Sequence, residues 1–201
     1  MSELFSIQLQ NRQQQGGDGV WLDLPTTTEQ VQVALRQIGI SSDNPQGLFI
    51  SGYFAEEEKR FAISYNMVLA SNVDELNFLA SRLETLSTGE RAELNAALQA
   101  PQSELFSIGR ITDFPENVDY YVHLPDVRGP AQLGDYYLNR SGMVDMPEEW
   151  KGGIDTAQFG RYVAQQEQGA FTQYGYLVKS GDEWQKVHEG QPVPEEYRVL
   201  S

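Results

Sequence analysis

The period of the apolar residues changes along this chain, and that change most constrains the fold. Val73, Leu76, Leu79, Ala80, Leu83 and Leu86 recur at helical spacing, whereas the apolar residues on either side alternate. One uniform sheet and one uniform helix bundle are both excluded. Asn72 with Glu75, and Ser87 with Glu90, have the spacing of a capping box, in which two side chains satisfy each other's free helix-end N–H groups. Leu94, Ala97 and Leu98 continue a second helix as far as Pro101. Residues 71–104 therefore read as a helical hairpin with Asp74, Glu84, Glu90 and Glu93 on its outer faces.

Residues 1–70 read as a small α+β unit. Leu4, Phe5, Ile7 and Leu9 lie in a strand-like stretch, and residues 13–19 are turn-rich. Val20, Trp21, Leu22 and Leu24 make a second strand that Pro25 stops. Thr26 and Glu29 have capping-box spacing ahead of a helix with Val31, Leu35 and Ile38 on one face, which Gly39 ends. Two further strands are expected at 47–50 and 61–65, around a charged turn at 56–59.

Residues 105–178 repeat parts of this plan. Ser103-Glu104-Leu105-Phe106-Ser107-Ile108 is identical to Ser2-Glu3-Leu4-Phe5-Ser6-Ile7. Residues 120–125 then parallel 20–25, and 169–176 echo 47–53, so a duplicated unit is expected, with extra helices around 131–139 and 156–165. The expected fold is α+β and elongated: mixed subdomains at 1–70 and 105–178, a helical subdomain at 71–104, and an extension at 179–201 with no assigned role.

Charge narrows the function more than it narrows the fold. The 201 residues carry 29 Asp and Glu against 14 Lys and Arg, a net charge of −15. The excess is −4, −4, −5 and −2 over the four segments and is not gathered into a tail. Such a surface repels nucleic acid and attracts proteins that bind it. Basic residues are too sparse to line a nucleic-acid groove.

Groups able to do chemistry are scarce. Cys is absent, and neither His123 nor His188 has another histidine or a carboxylate at metal-ligand spacing. The acids at 56–58 and 148–149 are sequence neighbours, which do not converge on one substrate. No phosphate-binding glycine loop, nucleophile elbow or dinucleotide fingerprint occurs. No run approaches the ~18 apolar residues of a membrane span, and the N-terminus lacks the regions of a signal peptide. The expectation is a cytoplasmic protein that is not an enzyme, has no metal or cofactor, and acts through its negative surface. The alternative is an interaction module of a mobile element whose acidity serves only solubility.

A series of short motifs adds to this. Gly19-Val20-Trp21 with Pro25, Ile38-Gly39, Leu76-Asn77, Gly134-Asp135-Tyr136-Tyr137, Pro147, Ile154-Asp155, Phe159-Gly160-Arg161 and the stretch 169–176 follow one another in order. Over residues 3–178 the chain resembles the ArdA antirestriction family of conjugative plasmids and transposons. The resemblance implies an elongated three-part homodimer, joined mainly through its C-terminal part, that mimics the shape and charge of B-form DNA. It also implies that the partner is a type I restriction–modification enzyme, whose DNA-binding cleft the dimer occupies to protect incoming DNA.

Under this reading the carboxylates expected to stand in for phosphates are Asp74, Glu75, Glu84, Glu90 and Glu93 in the middle of the chain. Asp113, Glu116, Asp119, Asp126, Asp135, Glu148, Glu149 and Asp155 follow beyond it. The chain departs from the family pattern at Gly52-Tyr53-Phe54 and at Leu138-Asn139-Arg140, where relatives place acids. A net charge of −15 matches only ~26 Å of duplex. Shape and local rows of carboxylates must therefore supply part of the mimicry.

Overall fold

A computed structural model describes residues 3–14, 17–41 and 45–200. Ser2 of the repeated hexapeptide, and Gln15 and Gly16 of the turn-rich stretch, lie outside the described residues. The elements are β1 (Phe5–Asn11), β2 (Val20–Leu24), α1 (Thr28–Gln37), β3 (Leu48–Phe54), α2 (Tyr65–Leu69), α3 (Val73–Glu84), α4 (Thr88–Gln99) and α5 (Ile108–Thr112). They continue with β4 (Tyr121–Leu124), α6 (Pro130–Asp135), α7 (Glu148–Lys151), α8 (Thr156–Gln166), β5 (Ala170–Thr172) and β6 (Gly175–Lys179).

The fold is α+β, as expected. Among the described residues, eight α-helices accompany two three-stranded antiparallel sheets, ordered β2-β1-β3 and β4-β6-β5. Packing divides the chain into two compact units. The first comprises residues 1–87, 105–116 and 185–201, and the second 88–104 and 117–184. The helices of the expected hairpin, α3 and α4, fall in different units, and most of the C-terminal extension joins the first.

In the first unit, β1 alternates buried Phe5, Ile7, Leu9 and Asn11 with half-buried residues, the period-2 pattern of a central strand. Its ladder with β3 shifts register between Gln8 and Leu9, leaving Ser51 as a bulge. The cap of α1 is one residue later than expected: Thr27 accepts from the Gln30 N–H, and the Gln30 side chain accepts from the Thr27 N–H. Thr26 is engaged elsewhere, because its N–H donates to Asn77 Oδ1 on α3 at 2.7 Å. The Asn72–Glu75 box at the start of α3 is as expected, and the stripe from Val73 to Leu86 is buried.

Residues 61–64 do not form the expected strand. Phe61 and Ile63 are buried in alternation, yet the segment lies outside both sheets and leads into α2. Alternating burial marks an extended segment over a core; it does not require a ladder.

The second unit sandwiches its sheet between helices. On one side, Tyr176 of β6 packs with Val127, Leu133 and Ala164. There α6 crosses α8 at two glycines: a Cβ at Gly134 would stand 1.9 Å from the Thr156 carbonyl oxygen, and one at Gly160 would stand 1.9 Å from that of Pro130. Only glycine permits this approach. Both glycines belong to motifs that carry the family resemblance, and the crossing is their physical role. The helix expected around 131–139 is α6 followed by a π-helical turn, Tyr136–Arg140. The expected strand at 169–176 is a hairpin, β5 and β6, whose turn uses Gly175 at φ +131°.

The two sheets correct the duplication. The first is centred on its first strand, β1, and the second on its last, β6. The hexapeptide copies also differ: residues 5–7 lie in β1, whereas Ser107 caps α5 by accepting from the Arg110 N–H at 3.2 Å. Six residues are too few to fix a strand; the flanking sequence decides.

Candidate partner-binding surface

The thirteen carboxylates singled out in the sequence meet different fates. In the first unit most are committed to the fold. Asp113 is fully buried (0% exposed) and accepts the backbone N–H groups of Val187, His188 and Glu189 at 2.6–3.2 Å. A carboxylate aimed into the protein cannot meet a partner, so Asp113 is removed from the set. Asp74 accepts from the Val199 and Leu200 N–H groups at 2.7 and 3.0 Å. Glu75 closes the α3 capping box, and Glu116 forms an ion pair with Arg82. Glu84 is half-buried.

The tail held by these acids is a packed part of the first unit. Asn77 donates to the Tyr197 carbonyl at 3.0 Å, and the Phe78 ring lies against the rings of His188 and Tyr197. Val199 is buried.

Of the acids singled out, those in the second unit point outward more often. Asp119, Asp126, Glu148, Glu149 and Asp155 are exposed. Asp155 caps α8 by accepting from the Gln158 N–H, and Glu148 pairs with Lys151 at 2.9 Å while keeping most of its side chain in solvent. Asp135 is half-buried beside Arg140 at 3.2 Å and also accepts from Asn139. Glu90 and Glu93 are half-buried on α4.

Other exposed acids were not singled out. Asp23, Glu29, Glu56, Glu57 and Glu58 of the first unit and Asp145, Asp182 and Glu183 of the second are all in solvent. The signal was present for the run at 56–58, a charged turn between apolar segments.

Neither histidine is arranged for catalysis. His123 Nε2 lies 2.9 Å from the Tyr174 carbonyl oxygen, and His188 is held edge-on against Phe78. Among the described residues no cluster of His, Asp and Glu could hold a metal. Within the second unit, Glu167 accepts from Tyr137 at 2.8 Å and from Tyr176 at 2.5 Å. Burial first, and the Glu167 bond and charge next, push both phenols well above their usual range, so they remain protonated donors. A cavity of about 760 Å³ in the first unit lies among Met67, Phe78, Phe106 and Pro192, and one of about 490 Å³ in the second among Tyr121, Phe171 and Leu177. The first is also lined by Ser71, Ser107, Thr112 and His188, but the Ser71 and Thr112 hydroxyls donate to backbone carbonyls and Ser107 caps α5. Among the described residues no helix is long and apolar enough to cross a membrane.

The described residues thus present many exposed carboxylates, and no cluster among them could hold a metal. The family described as antirestriction protein (ArdA) matches residues 16–178, and the chain belongs to it. Its function is accordingly antirestriction, and the family is one of inhibitors, not enzymes. No individual curated protein matches the chain.

Proposed function

We propose that this protein inhibits a type I restriction–modification enzyme by presenting carboxylates in place of DNA phosphates to the enzyme's DNA-binding cleft, acting in the cytoplasm on behalf of incoming mobile DNA. The observation that carries this reading is the family match over 16–178, in a chain of net charge −15. The outward acids of the second unit supply the means: Asp119, Asp126, Glu148, Glu149 and Asp155 stand in solvent. Asp74, Glu75 and Glu116, already engaged within the fold, contribute less direct contact. The docked protein is a homodimer joined through the C-terminal part, where Met143, Trp150 and Tyr162 are large exposed apolar side chains of the kind a dimer covers.

Competition with duplex DNA for a purified type I enzyme tests the mechanism. The protein displaces DNA, and its own affinity falls as salt rises, as expected of binding by charge neutralisation. Inhibition that leaves DNA bound would refute mimicry. Sedimentation showing only monomer at micromolar concentration would refute the dimer.

A further inference from the structure

The sheet of the first unit leaves a strand edge open. β2 lies at the border of the order β2-β1-β3, and among the described residues no strand pairs with its far side. Helix α1 follows β2 after only three residues and packs against it. A groove of about 360 Å³ runs between them, lined by Val20 and Leu22 of β2 and by Gln30, Val33, Ala34 and Gln37 along one face of α1. Strand and helix match in length, ~17 Å for five strand residues and ~15 Å for ten helical ones. An open edge beside a helix of similar length is the geometry that accepts an extended chain as an added strand.

The side chains decide what that chain must be. Leu22 and Leu24 of β2 are buried, while Trp21 and Asp23 face solvent. The Trp21 ring is held against Gly52, where a Cβ would stand 3.0 Å from it, and the residue remains 49% exposed. Val33 is 47% exposed on the helix side. Asp23, which accepts from the Ser6 hydroxyl at 2.6 Å, and Glu29 are exposed acids of the groove, and its lining contains no base.

We propose that this groove takes an extended segment of the partner enzyme, alternating basic and apolar residues, as a fourth strand beside β2. This rests on the partner reading above. Main-chain hydrogen bonds to the open edge hold the segment. Its apolar residues, in register with Leu22, turn toward Val33 and Ala34. Its Lys or Arg residues, in register with Trp21 and Asp23, meet an aromatic face and a carboxylate. A second copy of this chain fits poorly, because β2 paired with itself brings acid toward acid.

Two experiments on the full-length protein test this. A six-residue peptide alternating Lys and Val, followed by amide NMR, should slow exchange of alternate β2 amides and shift α1 around Val33. The same peptide N-methylated on its β2-facing amides keeps its charge but loses two or three hydrogen bonds, and should bind about tenfold more weakly. No response in β2, or equal binding after N-methylation, would overturn the inference and leave docking elsewhere on the molecule untouched. In complex with a purified type I restriction–modification enzyme, the same β2 amides should exchange at least about tenfold more slowly. Val33→Arg, at an exposed site, should weaken that binding about tenfold while urea unfolding stays at the parent value. Binding that leaves β2 exchange and the Val33→Arg affinity unchanged would overturn the groove as a contact and leave the docking reading intact. Absence of any binding to the enzyme would sink the docking reading and, with it, the assignment of the segment to that enzyme.

Discussion

The acids singled out from the sequence fare differently in the two units of this protein. In the first, most of the acids singled out from the sequence are engaged within the fold, while others such as Glu56, Glu57 and Glu58 stand in solvent: Asp113 and Asp74 receive backbone N–H groups from the C-terminal tail, Glu75 closes a helix cap, and Glu116 meets Arg82. In the second, most of the acids named from the sequence face solvent, while Glu167 accepts from two tyrosines beside a glycine crossing and an apolar cluster around Tyr176. An acidic composition is therefore not by itself an acidic surface. Each carboxylate that accepts backbone donors is removed from the set available to a partner.

The largest test of this contrast is Asp113→Ala. It leaves three backbone N–H groups without their acceptor, and should cost about 4 kcal/mol of stability, since each buried unsatisfied donor costs roughly 1–3 kcal/mol. Urea unfolding measures the loss. Inhibition per folded molecule should stay within about twofold of the parent, because the side chain never reaches a partner.

Gly160→Ala is the counterpart in the second unit. Ala normally stabilises a helix interior by about 1 kcal/mol over Gly, but here the sign should reverse to a loss of about 2 kcal/mol or more, because the added Cβ meets the Pro130 carbonyl. A thermal melt as stable as the parent would show that α6 and α8 can move apart at little cost.

Charge neutralisation should separate the units most clearly. Asp119→Asn, Asp126→Asn, Glu148→Gln and Glu149→Gln combined should weaken inhibition by about 2–3 kcal/mol, since each exposed charge pair is worth ~1 kcal/mol or less. Unfolding should shift by less than about 1 kcal/mol. Full inhibition by this variant, with salt sensitivity intact, would move the binding face away from the second unit.

A further test is the dependence of stability on pH. Glu93 is raised from 4.5 to about 7, so the folded state holds its proton more tightly than the unfolded chain. Its contribution to stability must then fall as pH rises from 4.5 to about 7 and stay constant on either side. Glu93→Gln should raise the melting temperature above pH 7 and leave it unchanged below pH 4.5.

Much of the architecture was legible because it depends on near neighbours. The stripe from Val73 to Leu86 and the Asn72–Glu75 cap lie within a few helical turns, and the structure places them as the spacing predicts. Thr26 shows where local reading fails: its spacing to Glu29 suggested the cap, but Asn77, 51 positions away, takes its N–H and leaves Thr27 to cap α1. The repeated hexapeptide failed for the same reason. A strand needs a partner strand, and six residues do not specify one.

The sequence by itself determined the charge, the scarcity of catalytic groups, the α+β class and the order of family motifs. All of these follow from composition or from interactions within one turn or one strand. The tertiary structure alone decided which acids remain available to a partner. Asp113 and Asp126 are indistinguishable as residues, yet one is enclosed by a tail arriving from 74–76 positions away and the other stands in solvent. Burial is a property of long-range packing, and no local pattern of carboxylates encodes it.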